Sequence, residues 1–166
     1  MKYILLNLIL IFCFSCKSSK TNNSTTSKDS DLKKYEIAID SVSKTEKKSA
    51  YEFAYQTFTN CDTFNFPELT DKNATERLVY LWTHKRNKVI ETCEKYNAVY
   101  GKMNTLKLAE ILGDNTNTKY FRYKAKFSKT DNTAEIRVFT NSNKKFSGII
   151  IISEWNDVYS EAPMKN

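Results

Sequence analysis

One histidine, His84, occurs in the 166 residues, and that scarcity removes a whole class of chemistry. His84 does not stand at ligand spacing from any cysteine, so a zinc site of the usual Cys/His type is excluded and no metal or cofactor is expected. Its neighbours Lys85, Arg86 and Lys88 point to a solvated basic turn rather than a catalytic centre. Long apolar runs are missing too. The apolar stretch at residues 3–14 is interrupted by Asn7 and is too short to span a hydrocarbon core of about 30 Å. Residues 18–30 hold no apolar side chain at all, so they bury too little surface to offset the entropy of ordering and read as a flexible tether.

Lys2 ahead of the apolar stretch gives the charged and apolar regions of a secretory signal. Phe14, Ser15 and Cys16 follow, then the polar Lys17, Ser18, Ser19 and Lys20. This resembles the lipobox of bacterial lipoproteins, in which the signal is cut before a cysteine that carries thioether-linked diacylglycerol, although Cys13 and Phe14 depart from the usual pattern. The resemblance implies lipidation at Cys16 and anchoring by two acyl chains. Lys17, where Asp would mark retention in the inner membrane, implies the outer membrane. The expected organisation is a signal at 1–15, a lipidated cysteine and tether at 16–46, one α+β domain at 47–160 and a tail at 161–166. The stretch 32–48 reads equally as a marginal helix or an ordered linker.

The chain carries 26 Lys and Arg against 19 Asp and Glu; loss of Lys2 with the signal leaves 25 against 19, a net charge of +6. Such a balance raises the question of nucleic acid, and the export signal argues against it. The membrane, through the anchor, is the expected partner. Once Cys13 has left and Cys16 is lipidated, Cys61 and Cys93 remain. They either pair, a bridge worth about 2–4 kcal/mol, or stay as two buried thiols; spacing does not decide.

In the domain, Ala50, Phe53, Ala54, Thr57, Phe58 and Cys61 fall at helical intervals, with Tyr51 and Tyr55 widening the stripe. Asn73 and Glu76 match a capping box. Leu78, Leu81, Trp82, Val89, Cys93, Tyr96 and Tyr100 carry a second helical stripe to Gly101, which reads as a helix stop, and the basic residues 84–88 mark a break or an exposed turn. Residues 103–112 fit a strand or a helical turn equally well. Phe121, Tyr123, Ala125 and Phe127 then alternate with polar residues, as do Ala134, Ile136 and Val138. The four isoleucines at 149–152 read as a strand buried on both faces, central or well covered, to which the two preceding strands lead in a meander of three.

The residues at 50–58, 96–101 with Leu106 and Leu108, and 146–152 together resemble the small exported domains of the nuclear-transport-factor-two-like superfamily. The resemblance implies N-terminal helices packed on a curved antiparallel sheet of three to four strands, shaped like a cone, with residues 103–112 as its first strand. It also implies a pocket inside the cone, used in some members for catalysis and in many for binding or for pairing two copies through the sheet. The side chains expected to face inward are Phe121, Tyr123, Ala125, Phe127, Ala134, Ile136, Val138, Ile150 and Ile152. No carboxylate is among them, so a general base would have to come from the helices, and the chain is expected not to be an enzyme.

Two functions from different classes fit. The first is an envelope binding domain that holds a small apolar ligand among Tyr55, Trp82, Tyr96, Tyr100, Tyr123 and Trp155. The second is a protective, immunity-like or assembly lipoprotein that meets an envelope protein through the outer sheet face, with Tyr120, Arg122, Lys124, Lys126 and Arg137 as contacts and Glu135 partly neutralising them.

Overall fold

Ser43 opens the first helix as its N-cap, the hydroxyl accepting from the Glu46 amide at 3.2 Å. From there α1 (Lys44–Thr59) turns Ala50, Phe53, Ala54, Thr57 and Phe58 to one buried side, as the spacing predicts. The computed structural model describes residues 34–160. The signal at 1–15, Cys16 and residues 17–33 of the tether, and the tail at 161–166, lie outside the described residues.

The second helical stripe is two helices, α2 (Glu76–His84) and α3 (Arg86–Tyr100), which break at Lys85. The capping box does not form. Thr75 is the N-cap of α2, and the Asn73 side chain instead accepts from the Thr70 amide at 2.8 Å and donates to the Glu68 carbonyl at 3.1 Å, so it closes the preceding turn. Gly101 ends α3 at φ 73°. A Cβ there would lie 2.3 Å from the Ser128 hydroxyl, so both the backbone sign and the crowding require glycine.

The sheet has five antiparallel strands in the order β1 (Tyr35–Glu36), β2 (Met103–Gly113), β3 (Lys119–Phe127), β4 (Thr130–Thr140) and β5 (Phe146–Ile152). It is open, with β1 and β5 at its edges. The fold is α+β as expected, but with more than the three to four strands expected, because β1 needs only two residues to pair with Gly113 and Leu112. The domain also begins earlier than residue 47. The Ile37 amide donates to the Ile111 carbonyl at 2.8 Å, Ile37 and Ile39 pack on the core, and Val42 is buried. Residues 103–112 form β2, bulged between Leu108 and Glu110. The bulge shifts the side-chain alternation midway and is why its periodicity reads two ways. The β2–β3 turn is built on buried Asp114, whose Oδ1 accepts from the Thr116 and Thr118 amides at 2.9 and 3.1 Å and whose Oδ2 accepts from the Tyr120 hydroxyl at 2.6 Å.

The isoleucine strand is not central. β5 is an edge and all four isoleucines are half-buried. Pairing of Ile136 with Ile151 and Val138 with Ile149 turns Ile149 and Ile151 to the helices, where they pack on the core. Ile150 and Ile152 stand opposite Arg137 and Glu135 on the other face, the reverse of the expected parity. A continuous apolar run carries no alternation, so it gives no phase. The central strand is β3, with Phe121, Tyr123 and Ala125 fully enclosed beneath the helices. A disulfide joins Cys61, just beyond α1, to Cys93 of α3, closing a loop of sequence separation 32.

Ile136 is 0 % exposed, so Ile136→Asp places an unpaired carboxylate in the core and costs several kcal/mol of a typical 5–15. Ile150→Asp, at the edge and opposite Arg137, is expected to leave a folded domain. Thermal unfolding monitored by circular dichroism separates the two; an unshifted melting temperature in Ile136→Asp, or loss of cooperative unfolding in Ile150→Asp, would contradict the assigned strand order.

Candidate functional site

The side of the sheet away from the helices is a buried ion cluster. Alternation along β3 and β4 sends Tyr120, Arg122 and Lys124 and, opposite them, Phe139, Arg137 and Glu135 to this face. Arg122 is 0 % exposed, Glu135 1 % and Arg137 2 %. Arg122 donates to Glu135 through Nε at 2.6 Å and Nη2 at 3.1 Å and also donates to Glu110 of β2. Arg137 donates through Nε to the same carboxylate. Two cations thus meet two anions.

Residues 153–160 lie over this cluster as a strap. The Trp155 amide donates to the Thr133 carbonyl at 2.7 Å, and the carbonyls of Asn156 and Ser160 accept from Arg122 at 2.6 Å and Arg137 at 2.7 Å. The Trp155 ring lies 4.4 Å from the Arg122 guanidinium and the Tyr159 ring 4.4 Å from that of Arg137. The expectation of an exposed cationic partner face is therefore overturned. Tyr120, Arg122 and Arg137 are buried, Lys124 is half-buried with its ammonium 4.6 Å from the Trp155 ring, and exposed Lys126 donates to the Asp131 carbonyl at 3.0 Å. Burial alone would raise the Glu135 carboxyl, but hydrogen bonds from Arg122 and Arg137 and the charges of both outweigh it and hold it below the usual carboxylate range.

The helix side offers a different site. Leu78, Leu81 and Trp82 share one face of α2, and Val89, Cys93 and Tyr96 share one face of α3, by the three- and four-residue spacing of a helix. With Phe58 of α1 and the edge of β5 at Gly148, Ile149 and Ile150 they wall a cleft of about 680 Å³, within the range of about 300–1,000 Å³ usual for small-molecule sites. Trp82 is fixed from behind: its indole donates to the Pro67 carbonyl at 3.1 Å, and its ring meets those of Phe53 at 5.8 Å and Phe66 at 6.0 Å. Burial, with Tyr100 beside it, pushes the Tyr96 hydroxyl above its ordinary value, so it stays a neutral hydrogen-bonding group. Arg77, Lys85 and Lys88 also line it, all three exposed.

Of the six aromatic residues named for a pocket, Trp82 and Tyr96 line this cleft and the others do not. Tyr55 is 45 % exposed on α1, stacked on Tyr51. Tyr100 packs on Phe127 at 5.4 Å. Tyr123 is sealed in the core, its hydroxyl without a hydrogen-bond partner, and Trp155 lies on the opposite face of the sheet over Arg122. The expected pocket lay inside a cone of sheet and helices, whereas the sheet interior at β3 is packed solid and the opening lies between α2, α3 and β5. Sequence reasoning missed Arg77, Leu81, Lys85, Lys88, Val89 and Thr92 as lining residues. The signal existed: Arg77, Leu81 and Lys85 recur every four residues, as do Lys88, Thr92 and Tyr96. Among the described residues no group of three or more His, Cys, Asp or Glu is placed to hold a metal ion.

Because the folded pKa of Glu135 is depressed, the stability it contributes is complete above the unfolded carboxylate value of about 4.3 and is lost as pH falls through the folded value. Glu135→Gln leaves buried Arg137 without a carboxylate and Arg122 with Glu110 alone and is expected to cost about 3–5 kcal/mol at pH 7, with a shallower loss of stability between pH 5 and pH 3 than the parent chain. Urea titrations across that range test both; an unchanged midpoint at pH 7, or an equal acid slope, would contradict the neutralisation described. Compared with protein-family models, curated proteins and solved structures, the chain finds no match.

Proposed function

We propose that this chain is a non-enzymatic binding domain of the cell envelope, tethered to the outer membrane through Cys16, and that it holds a small apolar ligand in the cleft between α2, α3 and β5. The helices and the curved sheet act as a cone whose open side is this cleft. The observation that carries the reading is the cleft itself: about 680 Å³ walled by Leu78, Trp82, Val89, Tyr96 and Ile149, beside a core that is otherwise closed. A surface concavity of that size and apolarity is the arrangement that takes up a small molecule and leaves few polar groups to satisfy. Trp82, Tyr96 and Thr92 supply the aromatic wall and the hydroxyls. The alternative of a partner docked on an outer sheet of arginines loses its basis, because those arginines are neutralised and covered.

Native mass spectrometry of the full chain, isolated gently from its own host, is expected to show an added small-molecule mass that leaves on denaturation. Thr92→Trp fills the cleft from an exposed position, so it should abolish the added mass and shift the melting temperature by only a few degrees. A clean protein mass in the parent chain, or retention of the ligand by Thr92→Trp, would overturn the reading. For the tether, Cys16→Ala is expected to release the protein from the membrane fraction or leave an uncleaved precursor; unchanged lipid labelling would refute lipidation there.

A further inference from the structure

The rim of the cleft carries charge of one sign. Arg77, Lys85 and Lys88 line it, and no Asp or Glu does. No carboxylate among the described residues pairs with any of the three; the nearest π partner is the Tyr80 ring, 5.9 Å from the Lys85 ammonium. Their placement along the helices brings two of them, Lys85 and Lys88, to the break between α2 and α3. The first turn of α3 holds Arg86 and Lys88 and no acidic residue, and its N-cap, Lys85, makes no side-chain cap. Lys85 is at once the C-cap of α2 and the N-cap of α3, so the negative end of one helix dipole meets the positive end of the other and the two offset, which leaves the side chains to set the charge. The break at Lys85 thus gathers cationic side chains at the mouth of an apolar cleft. Such a gathering raises the free energy of the empty protein and lowers it when an anion sits there.

Resting on the reading of the cleft as a ligand site, we infer that its ligand is an anionic amphiphile, a single acyl chain lying against Leu78, Trp82, Val89 and Ile149 with a carboxylate or phosphate head at Arg77, Lys85 and Lys88. The apolar walls supply affinity that grows with chain length, by about fourfold for each methylene buried. The rim supplies the choice of head group, and because its cations are exposed that choice is modest and sensitive to salt. A free fatty acid and a fragment of a phospholipid share this chemistry and differ in the head.

Isothermal titration of the full chain with decanoate, decyl phosphate, decanol and decylamine tests the inference. The two anions are expected to bind about tenfold more tightly than the alcohol or the amine at low salt, with the gap narrowing at high salt while decanol is unaffected. The tighter of decanoate and decyl phosphate then assigns the head to a free acid or to a lipid phosphate. The triple variant Arg77→Gln, Lys85→Gln, Lys88→Gln, made at exposed positions, should bind decanoate no better than decanol and retain the parent affinity for decanol. Equal binding of all four compounds by the parent chain, or a decanoate preference that survives the triple variant, overturns the anionic head and leaves the apolar site standing. Binding of none of the four overturns both.

Discussion

Arg122 sits at the centre of the middle strand with no exposed surface, and the need to neutralise that one buried charge governs the rest of the sheet. Glu135 on β4 and Glu110 on β2 reach it from the two neighbouring strands. A shift of either strand by one residue would carry its carboxylate to the other face, so the cluster fixes register in both directions. Replacing a buried ion pair by apolar groups is often neutral or stabilising, so its contribution lies more in specifying the pairing than in adding stability. The backbone carbonyls of the strap complete the arginines' hydrogen bonds, and the rings of Trp155 and Tyr159 cover their planes.

With one face sealed by charge and the other by α1, the sheet has its own aromatic core and leaves α2 and α3 to stand partly clear of it. Trp82 and Val89 meet β5 across a gap rather than in full contact. The disulfide through Cys93 ties α3 back to the end of α1, so the helices keep their spacing. The cleft is therefore a product of where packing stops. Its apolar wall continues the core stripe of each helix, and its charged rim is the solvent side of the same helices.

What was legible in the sequence followed from periodicity. The stripe of α1, the alternation of β3 and β4 and the stop at Gly101 each repeat a local rule, and local rules survive folding. The misreadings share another cause. Four isoleucines specify burial but no phase, so β5 reads as central or well covered, when it is a half-buried edge, and its inward residues are reversed. Arg122 and Arg137 looked solvated because one residue at a time they are charged; only strand pairing brings Glu110 and Glu135 to them, and only the chain's return at 153–160 covers them. Trp82 and Tyr96 were found because large aromatic residues announce themselves, whereas Lys85 and Lys88 looked like any basic turn. The break at 84–88 is itself one of the two readings that the sequence allows; that it opens on a cleft beside β5 is a tertiary fact.

The bridge between Ala74 and Phe146 has a bearing on solubility. An exposed edge strand of β-branched residues is a template onto which other chains add, and unpaired amides are what recruit them. Here the first residue of β5 is already engaged, the Phe146 amide donating to the Asn73 carbonyl and the Phe146 carbonyl accepting from the Thr75 amide, both at 2.8 Å. Farther along, α2 and α3 flank the strand. The elements that wall the cleft thus also guard the most aggregation-prone run in the described chain, and a change that loosened them would expose four isoleucines to neighbouring molecules.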